Sequence, residues 1–225
     1  FYILINNLKI SRDINQVSSQ IKIEKKEMES KKFSRFNWIV NLFPILALTL
    51  FVTGVMSILQ SILPLDLANG GIIRPPLIEK EVATLVTFKI ILIAIFQWPV
   101  SYIIRSKNSS FKFRFCLILL LTSFIFLSIS NLLLNGYLLI VIAFVPLTIA
   151  ICIFLPSASD AIIKSSPIKY HGSAIALYSQ CFGISALTFP WIAGKLIDTH
   201  NTAFQLWLVF SIICIFLIPI CKRIK

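Results

Sequence analysis

One lysine stands deep inside an apolar run. In "TLVTFKIILIAIF", Lys89 is the only formally charged residue well within such a stretch. Placing an ammonium group at the centre of a membrane helix costs about 2.5–3.5 kcal/mol, so the position needs a physical reason. Two reasons are open. The flexible stem can snorkel toward the outer headgroups, because Lys89 lies in the outer half of its run. Alternatively, the ammonium faces a water-filled cavity and attracts an anionic or electron-rich group. Gln97 and Ser101 project within about a quarter to a third of a turn of the same face, which adds hydrogen-bonding capacity to the second reading.

Two further sets of polar residues recur at helical spacing. Thr49, Thr53, Ser57, Gln60 and Ser61 follow one another at intervals that place them along one side of a helix, opposite Leu, Val, Ile and Phe. Tyr178, Cys181, Ser185 and Thr188 do the same within "HGSAIALYSQCFGISALTFPWIAGKLIDTH". A polar stripe in lipid must face another helix or a water-filled cavity, and small hydroxyls serve equally well as glue between helices. Gln60 is larger than helix packing usually requires. In the second stretch, Gly172, Gly183 and Gly194 remove side-chain bulk where another backbone could approach, and Pro190 interrupts the helix near its outer end.

Catalytic chemistry finds no support. The chain has no GxxxxGK[ST], HExxH or GxSxG pattern, and no nucleophile is paired with a base. His171 and His200 lie at opposite ends of one apolar stretch and are too far apart to share a metal. Cys116, Cys152, Cys181, Cys214 and Cys221 form no CxxC pair; they read as small apolar fillers. A non-enzyme without cofactor or metal is the expectation.

The elements that must position these groups follow from composition. Of the 225 residues, 57% are hydrophobic and only 13% charged, and the mean hydropathy is +0.89. Soluble domains hold about 45–50% apolar residues, so the class is an integral membrane protein. A spanning helix takes about 20 apolar residues, whereas barrel strands would alternate in polarity about every ten. Residues 36–63, 82–104, 111–129, 137–155, 173–197 and 203–221 meet the helical criterion, predicting an all-α polytopic protein with six transmembrane helices in residues 36–225. Residues 1–5, "FYILI", read as the end of an earlier, truncated span, and residues 6–35 as a polar connecting linker.

The net charge of +12 lies in the segments between the apolar runs, without aromatic interleaving or a nucleic-acid-binding motif. A nucleic-acid partner is therefore not expected, and the bilayer is. One side would hold Lys and Arg from the linker, Arg105–Arg114, Lys164, Lys169 and the last residues; the other holds only Arg74, Lys80 and Lys195, beside Asp66, Glu79, Glu81 and Asp198. By the positive-inside rule the linker and the C-terminus are cytoplasmic, in a multi-pass protein of the cell (inner or plasma) membrane. No Asp or Glu falls within the apolar runs so delimited, leaving no carboxylate proton relay.

Together these residues resemble the C-terminal half of a major facilitator superfamily (MFS) transporter. A basic linker precedes six spans; "LPSASDAIIKSSPIKYHGSAIALYSQCFG" is similar to the junction of the family's tenth and eleventh helices; "FPWIAGKLID" places Pro190, Gly194 and Asp198 at the family's Pro-x-x-x-Gly-x-x-x-Asp spacing; and "QWPVSYIIRSKNSSFKFR" sits where the family repeats its basic loop motif. In that last match Ser101 replaces a common Gly and Arg105 a common Asp. The resemblance implies two inverted three-helix repeats, a missing N-terminal six-helix half, and alternating access to a central site for a small solute, with a coupling proton or ion. It implies a substrate cavity walled by Thr53, Ser57, Gln60, Lys89, Gln97, Tyr178, Cys181 and Ser185, with Arg105, Gly172, Pro190, Gly194 and Asp198 in structural or gating roles. The competing expectation is a structural or assembly subunit of a membrane complex, in which the polar stripes are buried in helix contacts.

Overall fold

The computed structural model describes residues 39–40, 42–200 and 202–221. Nearly every described residue belongs to one compact unit, which begins at Phe43. The expected truncated span at 1–5 and the linker at 6–35 lie outside the described residues, as does the side chain of His200.

All regular structure among the described residues is helical. The helices are α1 (Leu42–Asn69), α2 (Glu79–Ile104), α3 (Ser109–Ser130), α4 (Gly136–Ser165), α5 (His171–His200) and α6 (Phe204–Ile220), with a short 3₁₀ turn at Ile168–Tyr170. The first five are long and apolar enough to cross a membrane, which suggests a transmembrane protein. The sixth has 17 residues, a rise of about 26 Å, and falls just short of that length.

Two boundaries differ from the sequence expectation. The apolar run expected to end at Leu155 continues as helix to Ser165. The tail "PSASDAIIKS" stays helical because Ala158, Ala161 and Ile162, at helical spacing, are buried, while Asp160 and Lys164, one turn apart, form an exposed ion pair of 2.7 Å. The run expected to end at Leu63 continues through Pro64 to Asn69. Asp66, expected in a loop, is therefore a helical residue beyond the apolar run. The hydropathy pattern fades there before the helix does.

Gly70 ends α1. Its φ of 83° lies in the left-handed region, and its N–H closes the last turn onto the Asp66 carbonyl at 3.1 Å. The Gly71 N–H then bonds the Arg74 carbonyl at 3.0 Å, curling the chain back beneath the helix end. α2 starts after Pro75–Pro76, with the Ile78 N–H donating to Glu81 at 3.2 Å and Glu79 and Glu81 complementing the positive end of the helix dipole.

α3 packs against α4 and α6, and α4 also against α2 and α5. An aromatic cluster ties four helices together around Phe210 of α6, whose ring lies 5.8 Å from Phe51 of α1, 5.7 Å from Phe124 of α3 and 6.2 Å from Phe189 of α5. α1 and α5 run in the same direction: contacts advance in step from Leu46–Cys181 through Thr53–Ser185 to Gly54–Phe189. Burial is uneven. The most apolar window of α1 is 61% buried and that of α4 56%, whereas α2 and α5 each reach 11%, so these two helices carry the open faces of the unit.

Candidate functional site

Lys89 does not run toward a helix end. It projects from α2 against α1, where its Nζ donates to the Leu59 carbonyl at 2.8 Å and the residue is 5% exposed. Pro64 has no N–H to offer the Gln60 carbonyl, which is next in the chain to the Leu59 carbonyl that Lys89 bonds. An ammonium has three donors, and the Leu59 carbonyl takes one.

A cleft of about 230 Å³ opens beside it, lined by Met56, Leu59, Gln60, Val86, Lys89, Ile90, Ile93 and Ile151. Gln60 and Lys89 are its only polar side chains, set in an otherwise apolar wall. Small-molecule sites share that character, with few polar groups fixing orientation among many apolar contacts. Gln60 belongs to the polar stripe of α1, so the sequence signal and the cleft coincide there.

The rest of that stripe does something else. Thr49 and Thr53 are buried and bond carbonyls one turn back, at Ile45 (2.8 Å) and Thr49 (2.7 Å). The Ser185 hydroxyl donates to Thr53 Oγ1 at 2.9 Å, joining α5 to α1. Cys181 is buried, with its thiol 3.4 Å from the Leu177 carbonyl and 3.9 Å from that of Leu46. Ser57 is half-buried, and its carbonyl accepts from Ser61 at 2.9 Å. Thr53, Ser185 and Cys181 thus meet at the α1–α5 seam, apart from the lining of the Lys89 cleft. Gln97 is exposed further along α2, and half-buried Tyr178 packs edge-on against Phe182 at 5.2 Å. The eight expected cavity residues therefore divide: Gln60 and Lys89 share the cleft, three form the seam, and Ser57, Gln97 and Tyr178 line neither.

The residues expected to gate occupy the ends and the open face. Arg105 caps α2 and is exposed; Pro190 lies inside α5; Asp198 is exposed on its last turns. A Cβ added at Gly172, Gly183 or Gly194 would meet nothing within 4 Å, so no backbone among the described residues uses that space. Close approach is used instead at Gly54, whose Cβ would run into the Phe189 ring, and at Gly71 and Gly136, which lie against Asn131 and Ser130.

A second polar constellation was not foreseen from the sequence. At the end of the bundle where α1 finishes, Arg74 Nη2 lies 3.0 Å from Asp66 Oδ1 and 2.9 Å from the Asp66 carbonyl, and Nη1 lies 3.2 Å from Ser130 Oγ. Trp207 Nε1 donates to Asp66 Oδ2 at 3.0 Å. The Ile73 N–H donates to the Asn131 carbonyl at 3.0 Å, so the loop after α1 is pinned to the end of α3. Both ionic side chains are 1% exposed. The only local signals are the chain-reversing Gly70–Gly71 pair between Asp66 and Arg74, and a buried tryptophan whose N–H needs an acceptor.

The five cysteines are buried free thiols, and His171 Nε2 lies 3.0 Å from the Ser166 carbonyl at the start of α5. Among the described residues no three His, Cys, Asp or Glu gather as a metal site. No protein-family model matches the chain, and no curated protein or solved structure matches it either.

Proposed function

We propose that this chain is the C-terminal six-helix half of an MFS-type secondary transporter that moves a small solute across the membrane by alternating access. The observation that carries the proposal is the Lys89–Gln60 cleft. A cation is kept within an apolar helix pair, away from the helix ends, beside space that an electron-rich or anionic solute can enter. Under-packed α2 and α5 support it, because a half-transporter leaves uncovered the faces that its other half completes. In this reading Lys89 supplies charge and Gln60 a directional hydrogen bond, while Ser57, Gln97 and Tyr178 border the space between halves. Asp66 is the only buried carboxylate among the described residues, and Arg74 and Trp207 both engage it.

A second reading is favoured by the Thr53–Ser185 bond: a structural or assembly subunit of a membrane complex whose polar stripes are helix glue. Substituted-cysteine labelling in native membranes separates the two. With transport, Gln60→Cys reacts with a water-soluble thiol reagent, a transported solute protects it, and Lys89→Met removes the protection. Failure of Gln60→Cys to react in either membrane orientation excludes a solvated cleft and leaves the structural reading.

A further inference from the structure

At the end of the bundle where α2 gives way to α3, a groove of about 510 Å³ is lined by Ser101, Ile104, Arg105, Lys112, Pro156, Ser157, Asp160 and Lys164. Its charges do not cancel. Lys164 is satisfied by Asp160 at 2.7 Å, whereas Arg105 and Lys112 have no carboxylate partner among the described residues. Lys112 is 8% exposed, and its Nζ has a single long contact, 3.4 Å to the Arg105 carbonyl. Two of its three donors have no protein partner among the described residues.

The opposite wall makes the same point independently. Ser157 Oγ on α4 is buried without any hydrogen-bond partner, although the residue is only 4% exposed and lines the groove. Two unpaired cations and a spare hydroxyl leave a common deficit of acceptor oxygens. A phosphate group supplies several of them on one small centre, and it bonds both to ammonium and guanidinium groups and to hydroxyls.

Trp98 and Tyr102 identify the surroundings. They stack at 6.3 Å on the outside of α2, 79% and 74% exposed, beside Ile103 at 70%. Exposed tryptophan and tyrosine at the end of an apolar helix mark the headgroup level of a bilayer. Acyl chains would lie along this apolar surface while the headgroup turned into the groove.

We infer that this groove is a binding site for the phosphate of an anionic phospholipid headgroup, with Lys112 and Arg105 supplying charge and Ser157 a hydrogen bond. The site is separate from the Lys89 cleft, and it stands whether or not the chain transports a solute. The test is native mass spectrometry of the full chain in mild detergent, with phosphatidylglycerol or phosphatidylcholine of matched acyl chains. The wild type should retain phosphatidylglycerol at least about tenfold better, and Arg105→Gln/Lys112→Gln should erase that preference, as expected for loss of two charge-assisted contacts. Lys112→Arg keeps the charge and should retain the lipid within about threefold, and Ser157→Ala, which removes one neutral contact, should weaken retention by about threefold to tenfold. Addition of inorganic phosphate distinguishes the source: displacement of the lipid means that phosphate alone is sufficient, and persistence means that the whole lipid is the ligand. Equal retention of both lipids by the wild type overturns the inference. So does unchanged preference in the double variant, and if that variant does not fold, unchanged preference in the single variant Lys112→Gln serves the same purpose.

Discussion

Removing Arg74 should destabilise this bundle more than almost any other single substitution in it. Arg74→Met deletes the guanidinium contacts to Asp66 Oδ1, the Asp66 carbonyl and Ser130 Oγ, while keeping much of the side-chain volume. What remains is a carboxylate, 1% exposed, held by the Trp207 N–H alone. Breaking a buried ion pair from one side costs about 3–5 kcal/mol, because the surviving charge stays desolvated. For a domain of this size 1 kcal/mol moves the melting temperature by about 2–4 °C, so the expected drop is about 6–20 °C. The deciding comparison is the double variant Asp66→Leu/Arg74→Met. It removes the stranded charge, leaving a loss of about 1 kcal/mol for the unpaired Trp207 N–H, and should recover more than half of the drop. Thermal unfolding in detergent, followed by Trp fluorescence, reads both. A change below about 2 °C in Arg74→Met, or a double variant no more stable than the single, refutes the argument that the pair is buried and mutually dependent.

Smaller effects are expected elsewhere. A double-mutant cycle of Thr53→Ala and Ser185→Ala should give a coupling of about 0.6 kcal/mol, and no more than about 2, since both hydroxyls also bond carbonyls of their own helices. Gly54→Ala should cost about 1–3 kcal/mol through the collision with Phe189, and Phe189→Leu in the same chain should restore part of it, as seen in the melting temperature. Gly183→Ala meets only open space and should stabilise the isolated chain by up to about 1 kcal/mol through helix propensity. If a second half packs on α5, the same change should weaken co-purification with it. Thr53→Cys, buried at the α1–α5 seam, should resist the water-soluble thiol reagent that modifies Gln60→Cys.

The number and approximate position of the helices were legible because hydropathy integrates over about 20 residues, and a few polar exceptions do not disturb the sum. The helix ends were less legible. α4 continues ten residues beyond its apolar run, where Ala158, Ala161 and Ile162 are buried at helical spacing although Ser157, Ser159, Asp160 and Lys164 dilute the apolar pattern. The candidate site was half legible. Periodicity put Thr49, Thr53, Ser57, Gln60 and Ser61 on one face, but one face of a helix is wide enough to border both a neighbour and a cleft. Which residue met which depended on α5 and α2, elements more than a hundred and about thirty residues away along the chain.

Sequence alone determined that this protein is helical and apolar enough for a membrane, that Lys89 needed a special environment, and that its basic charge lies between the apolar runs. These properties belong to single segments and their solvation. Tertiary structure alone decided that Lys89 rests on the Leu59 carbonyl, that Asp66 joins Arg74 and Trp207, and that Lys112 and Ser157 border one groove. Each of these turns on the distance between groups carried by different elements, where a shift of a few ångströms exchanges a hydrogen bond for an unpaired buried polar group. Local pattern does not encode that distance; the packing of the whole bundle sets it.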